Sequence, residues 1–305
     1  MTRPSVRPVP LTPQRRFAGA RFGAYRSPRR GEGDEVAGTR PYRRGDRISR
    51  IDWAASARLS AARGTDEFVT REFFADQAPR VVVVCDRRPA MAVYGGGLPW
   101  LDKAAAAAGV FELVASSVIA ERADLAYADQ LAERATWLAP SPSAHAAVVA
   151  HRLATTPWSG PPDGLTRALE LVVRHRSQLP VGAFVFVLSD FLGAVPPRVW
   201  GHLRSLLLDV TPVIVQDPTW EQRFPSVRST VLELLDPTTG ARSEVWVRDG
   251  RARSEENARR LAGTVDGFRR LGFDPVIVGS SEPDEIHTVL ARWAERRSLR
   301  RRAAA

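Results

Sequence analysis

The run Arg80-Val81-Val82-Val83-Val84-Cys85-Asp86 constrains this chain more than any other stretch. Consecutive β-branched residues disfavour a helix, and successive strand residues point to opposite faces of a sheet. A strand apolar on both faces must be covered on both sides, as a parallel strand between two helical layers is. The rest of the chain supplies such layers. Strands are expected over residues 181–189, 210–215 and 275–278, with shorter candidates at 125–128 and 135–138. Helices are expected over 101–123, 144–153, 165–177, 198–207, 255–271 and 283–296. This alternation predicts an α/β, doubly wound, mostly parallel sheet with helices on both faces. Residues 231–235 and 244–247 flank Asp236-Pro237-Thr238-Thr239-Gly240 and read as a hairpin near 231–247, an excursion at the sheet edge.

Upstream lie two further segments. Residues 1–37 are rich in Arg, Pro and Gly without periodicity and read as a disordered tail. Residues 38–79 read as a helix over 47–59, capped by Asp46, followed by a strand over 66–74. The α/β domain then spans 80–296, and 297–305 reads as a basic tail.

Charge is informative once it is located. The net charge is +10, yet residues 1–31 hold eight arginines and no acid, and residues 296–302 hold five more. Subtracting those thirteen leaves the body near −3. A basic face on a folded domain is therefore not indicated, and nucleic acid is not the expected partner. Lys103 is the only lysine, read as composition bias. A single cysteine, Cys85, allows no internal disulfide and fits a reducing compartment. Residues 104–120 are nearly all apolar with Glu112 at their centre, and read as a core helix and not an integral membrane segment. The chain is expected to be soluble and cytoplasmic, with peripheral membrane contact left open.

In a sheet of this kind ligands meet the carboxyl ends of the strands at the point where strand order reverses. Two expected strands end there in a carboxylate, Asp86 and Asp190. The run from Val81 through Asp86, Arg87, Arg88, Pro89 and Ala90 resembles the first strand of a von Willebrand factor A domain, and Ser189-Asp190 resembles its later strand end. That resemblance implies a metal-ion-dependent adhesion site with Asp-x-Ser-x-Ser after the first strand and a threonine from a later loop. Mg²⁺ in such a site takes oxygen ligands in near-octahedral geometry and keeps a position open for a partner. Here Arg88 and Ala90 stand at the serine positions, and Asp163 stands at the threonine position with Thr166 nearby. The site reads as degenerate. Arg88 is expected in the metal's place, paired with Asp86, Asp190 or Asp163, and no cofactor is expected. The plainer alternative sends Arg88 to solvent and leaves the aspartates as caps.

A second resemblance covers more of the chain. Arg40-Pro41-Tyr42-Arg43-Arg44-Gly45-Asp46-Arg47, continued by Ile51-Asp52-Trp53 and Ser56-Ala57-Arg58, then Arg71-Glu72-Phe73, is similar to the signature of the domain-of-unknown-function 58 family. Members are typically encoded beside MoxR-type AAA+ ATPases, which implies such a machine as partner; the family supplies no reaction and no client. Many members carry transmembrane helices ahead of the signature. Arg40, Arg47 and Arg58 alternate with Asp46 and Asp52 around Tyr42 and Trp53, with Gly45 and Ser56 between them. They read either as an internal latch or as a docking surface.

Enzyme readings find little support. Gly95-Gly96-Gly97 is not followed by Lys and Ser/Thr, so there is no P-loop, and the five histidines lack metalloprotease spacing. Cys85 reads as a core thiol. The expected function is a non-catalytic protein-binding module. The alternatives are a metal-dependent hydrolase using Asp86, Asp163 and Asp190, and a membrane- or nucleic-acid-associated protein acting through basic tails.

Overall fold

The computed structural model describes residues 7–14, 36–64, 67–73, 80–93, 101–142, 145–236 and 239–303. Most of the expected N-terminal tail, the glycine triplet at 95–97, the ends of the expected strand at 66 and 74, and the turn residues Pro237 and Thr238 lie outside the described residues.

The chain forms two compact units, one within Arg16–Ala78 and one made of Met1–Arg15 with Pro79–Ala305. In the smaller unit, strands β1 (Val36–Pro41) and β2 (Val69–Phe73) pair antiparallel around helix α1 (Trp53–Arg63). The helix expected from Arg47 is not continuous. A 3-10 turn at Ile48–Arg50 is followed by Ile51 in extended backbone, bridged to Thr70, and α1 starts only after Asp52. Asp52, not Asp46, is the cap: its Oδ1 accepts the Ala55 N–H at 3.0 Å. Asp46 is engaged elsewhere, accepting both Arg40 Nη groups at 2.7 and 2.8 Å and the Arg43 N–H at 2.8 Å. Gly45, at φ +105°, turns the chain between those partners.

The larger unit is built on β3 (Arg80–Cys85), α2 (Lys103–Ala120), the hairpin β4 (Asp124–Leu131) and β5 (Arg134–Pro142), and helices α3 (Ala146–Thr155) and α4 (Gly164–Arg174). It continues through β6 (Phe184–Ser189), α5 (Pro197–Ser205), β7 (Asp209–Val215), the hairpin β8 (Arg228–Leu235) and β9 (Arg242–Asp249), α6 (Gly250–Arg270), β10 (Val276–Val278) and α7 (Pro283–Ala303). The six-stranded sheet has the order β10-β7-β6-β3-β4-β5, and only β5 runs antiparallel. It is a mixed α/β fold with a central, mostly parallel sheet. Strand order reverses at β3, which has β4 on one side and β6 on the other.

The valine run behaves as its composition requires. Val81, Val83 and Cys85 pack with α2, α3 and α7 side chains such as Phe111, Leu153 and Trp293. Val82 and Val84 pack on the other face with Leu169 of α4, Leu203 of α5 and Phe268 of α6. All four valines are fully buried, each contributing about 1.5–3 kcal/mol relative to exposure. Helix α2 is long and apolar enough to cross a membrane, but most of it is buried inside this fold.

The expected hairpin is present as β8–β9, a separate two-stranded sheet in the connection between β7 and β10. Two further expectations need correction. Within the expected loose N-terminal tail, Val9 and Leu11 are buried, and the Val9 N–H donates to Ser117 Oγ at 2.9 Å. The expected basic tail begins inside α7: Arg297 is buried, donating to both Asp209 oxygens at 3.0 Å and to Asp274 at 2.7 Å. An arginine so paired belongs to the core and not to a solvated end.

Candidate functional site at the strand ends

Strand β3 delivers Asp86 to the carboxyl edge of the sheet. Its N–H donates to the Leu188 carbonyl at 2.9 Å, so β3 and β6 stay paired up to the turn. The carboxylate then folds back on its own chain, accepting the Arg88 N–H at 3.1 Å. Pro89 opens a 3-10 helix, Pro89–Ala92, in which Ala90 is half-buried and offers no ligand oxygen. Strand β6 delivers Ser189 and Asp190 beside it. Phe191 takes φ +51°, and the Leu192 N–H donates to Asp190 Oδ1 at 3.0 Å. Asp86 and Asp190 are both completely buried.

Buried carboxylates need partners, and these have them. Arg88 Nε lies 2.9 Å from Asp86 Oδ1, and Arg88 Nη2 binds Asp86 Oδ2 and reaches Asp190 Oδ1 at 3.1 Å. Ser189 Oγ donates to Asp86 Oδ2 at 2.7 Å. The guanidinium thus bridges the two strand ends. It also presses on Gly193, where an added Cβ would fall 2.0 Å from Arg88 Nη1. Arg87 points elsewhere: it is buried, lies 4.3 Å over the Trp158 ring and donates to the Thr156 carbonyl at 2.7 Å.

The sequence reading missed the second half of the site. Lys103, the first residue of α2, is buried; its Nζ lies 3.1 Å from Asp190 Oδ2 and 2.7 Å from Glu221 Oε1. Glu221 Oε2 accepts the Asp217 N–H at 2.8 Å. Asp217, just past the end of β7, accepts the Leu101 N–H at 2.7 Å and the Thr219 and Trp220 N–H groups at 2.7 and 2.8 Å. A signal was present: the single lysine among forty-three arginines, and a third strand end carrying an acid at Asp217. Burial opposes the charge on Lys103, but Asp190 and Glu221 outweigh it and raise its pKa above the ordinary value. Burial raises the Glu221 pKa, against the pull of Lys103. Burial likewise pushes the Cys85 thiol up to about 12.

Asp163 and Thr166 are not drawn into this network. Asp163 is exposed and takes the Arg167 guanidinium at 2.9 Å, one turn along α4. Thr166 is half-buried, and no described hydrogen bond links it to Asp86, Arg88 or Asp190. Among the described residues no group of three or more His, Cys, Asp or Glu side chains is placed to hold a metal ion. Mg²⁺ needs several oxygen ligands with free lone pairs. Here Arg88 and Lys103 already engage the carboxylates, so this donor set does not fit the ion.

The signature residues gather in the smaller unit. Arg40 pairs with Asp46, and Arg71 Nε reaches Asp52 Oδ2 at 3.0 Å. Ser56 Oγ donates to the Asp52 carbonyl at 2.7 Å and accepts the Val69 N–H at 2.9 Å, tying α1 to β2. The Ala55 N–H and Arg71 lower the Asp52 pKa. Tyr42 and Trp53 both meet Phe68 edge-on, at centroid distances of 6.5 and 6.0 Å. Trp53, Arg47 and Arg58 are exposed.

No curated protein matches the chain. Among solved structures, the conserved hypothetical protein BatB from Bacteroides thetaiotaomicron is 12% identical, with a TM-score of 0.42 over 72% of this chain and 100% of that one. An aerotolerance-related membrane protein from Bacteroides fragilis, carrying multiple mutations to serines, is 10% identical, with a TM-score of 0.40 over 70% of this chain and 100% of that one. The family described as "Protein of unknown function DUF58" matches residues 38–263, spanning both the signature segment and most of the larger unit. The chain belongs to the DUF58 family.

Proposed function

We propose that this chain is a non-catalytic protein-binding module and a partner of a MoxR-type AAA+ ATPase, with a von Willebrand A-like sheet whose adhesion site is degenerate. The observation that carries the reading is the double occupancy of Asp190, with Arg88 on one oxygen and Lys103 on the other. In a metal-dependent adhesion site these oxygens would face an ion. Here fixed cations neutralise them, which favours a rigid scaffold over a metal-borne reaction. The strand order and its reversal at β3 support the von Willebrand A-like reading. The ATPase is supplied by family resemblance. A cytoplasmic location with peripheral membrane contact belongs to the same proposal.

The metal-hydrolase alternative is disfavoured by Asp163, which pairs with Arg167 away from the other two carboxylates. Two measurements test the proposal. The chain should bind a MoxR-type ATPase in at least one nucleotide state, or change its rate of ATP hydrolysis; absence of both effects in every nucleotide state refutes the partnership. Titration calorimetry should detect no tight Mg²⁺ or Mn²⁺ site; metal binding that Asp86→Ala abolishes refutes the degenerate-site reading.

A further inference from the structure

The hairpin β8–β9 has two unlike faces. Thr230, Leu232, Val245 and Val247 point one way and are buried or half-buried. Val231, Glu233, Leu235, Arg242, Glu244, Trp246 and Arg248 alternate with these and are all exposed. Alternation predicts a polar outer face for a sheet packed on one side only. Instead Val231 and Trp246 stand directly opposite each other, 48% and 60% exposed, with Leu235 at 51%. Neither strand pairs with any other described strand. The Val231–Trp246 cross-strand pair steadies the hairpin by at most about 1 kcal/mol, yet it leaves a large apolar surface in water.

We infer that this outer face is a self-association surface, and that its occupant is the same face of a second copy of the chain, related by a two-fold axis. Charge selects this occupant. The face carries two glutamates, Glu233 and Glu244, and two arginines, Arg242 and Arg248. A partner of a single sign would meet as many like charges as opposite ones. A two-fold copy of a balanced face can match each glutamate with an arginine, which is the condition for an isologous contact. Glu233 and Glu244 are also direct cross-strand neighbours, and like charges so placed repel. Arg242 relieves one of them at 3.1 Å, and an arginine from across the interface would relieve the other.

Eight-residue strands make this face about 27 Å long and about 10 Å wide. That is roughly a third of what each partner buries in a standard interface. The association is therefore weak, reversible and concentration-dependent. It does not depend on the ATPase partnership and is measured on this chain alone.

Sedimentation velocity of the full chain, from micromolar to submillimolar concentration, reads it directly. The wild-type chain should pass from monomer to dimer, and Trp246→Lys should weaken that step about tenfold or more. Charge reversal keeps the test decisive if the lysine variant misfolds. R242E/R248E and E233R/E244R should each stay monomeric alone and form a dimer when mixed. A wild-type chain that stays monomeric throughout overturns the inference. So does a dimer indifferent to Trp246→Lys, a mixture of charge variants that stays monomeric, or a foreign partner captured by this face without self-association.

Discussion

Arg88 and Lys103 hold opposite oxygens of one buried carboxylate: Arg88 Nη2 lies 3.1 Å from Asp190 Oδ1, and Lys103 Nζ lies 3.1 Å from Asp190 Oδ2. One cation follows β3 and the other opens α2, so Asp190 ties together both ends of the connection that leaves the central strand. Three buried carboxylates, Asp86, Asp190 and Glu221, face these two cations. Removing either cation leaves a negative charge in a dry place.

Lys103→Met should therefore cost about 3–5 kcal/mol, because it leaves Asp190 and Glu221 without that shared partner. The deficit should depend on pH. Burial already raises the Glu221 pKa, and Lys103 restrains that rise. A carboxyl whose folded pKa exceeds its unfolded value loses stability as pH rises through the folded value. The difference between variant and wild type should shrink as pH falls from neutrality towards the ordinary glutamate range, as urea midpoints would show. A deficit that does not change with pH refutes the account.

Gly193 and Gly201 should respond in opposite directions to alanine. A Cβ at Gly193 meets the Arg88 guanidinium, which is pinned by Asp86 and Asp190 and has little room to yield. Gly193→Ala should destabilise by about 1–3 kcal/mol. Gly201 lies within α5 with nothing near its missing Cβ. Gly201→Ala should stabilise by up to about 1 kcal/mol. Thermal unfolding of the two variants checks the pair.

Cys85 should be inert in the native protein. Burial pushes its thiol up to about 12, so almost no thiolate forms at pH 8, and thiolate is the reactive species. A thiol reagent should react only after the chain is unfolded in denaturant. Rapid labelling of the folded protein would show that the corner opens.

Arg297 and Arg300 separate core from surface within α7. Arg297→Met removes the cation shared by Asp209 and Asp274, and should cost about 3–5 kcal/mol. Arg300 is exposed, and Arg300→Ala should shift stability by less than about 0.5 kcal/mol. Urea denaturation of both variants measures the contrast.

Much of this architecture was legible in the chain. The valine run announces a strand covered on both faces because β-branching and burial are local, periodic properties. The alternation of such runs with helical stripes then predicts a parallel sheet, and the position of Asp86 and Asp190 at strand ends predicts that both lie at its carboxyl edge. The capping error at Asp46 shows the limit of local reading. Asp46 and Asp52 are both good caps by type, and the choice fell to Asp52 because Arg40 and the turn at Gly45 hold Asp46.

The sequence by itself determined the layers, the central strand, the two strand-end aspartates and the family signature. Only the tertiary structure decided which cation neutralises which acid. Lys103 meets Asp190 across 87 positions, Asp163 turns to Arg167 instead of the corner, and the Arg297 side chain leaves its expected tail for the core. The physical reason is that periodicity is written along the chain, whereas an ion pair depends on distance in space and on what burial denies to water.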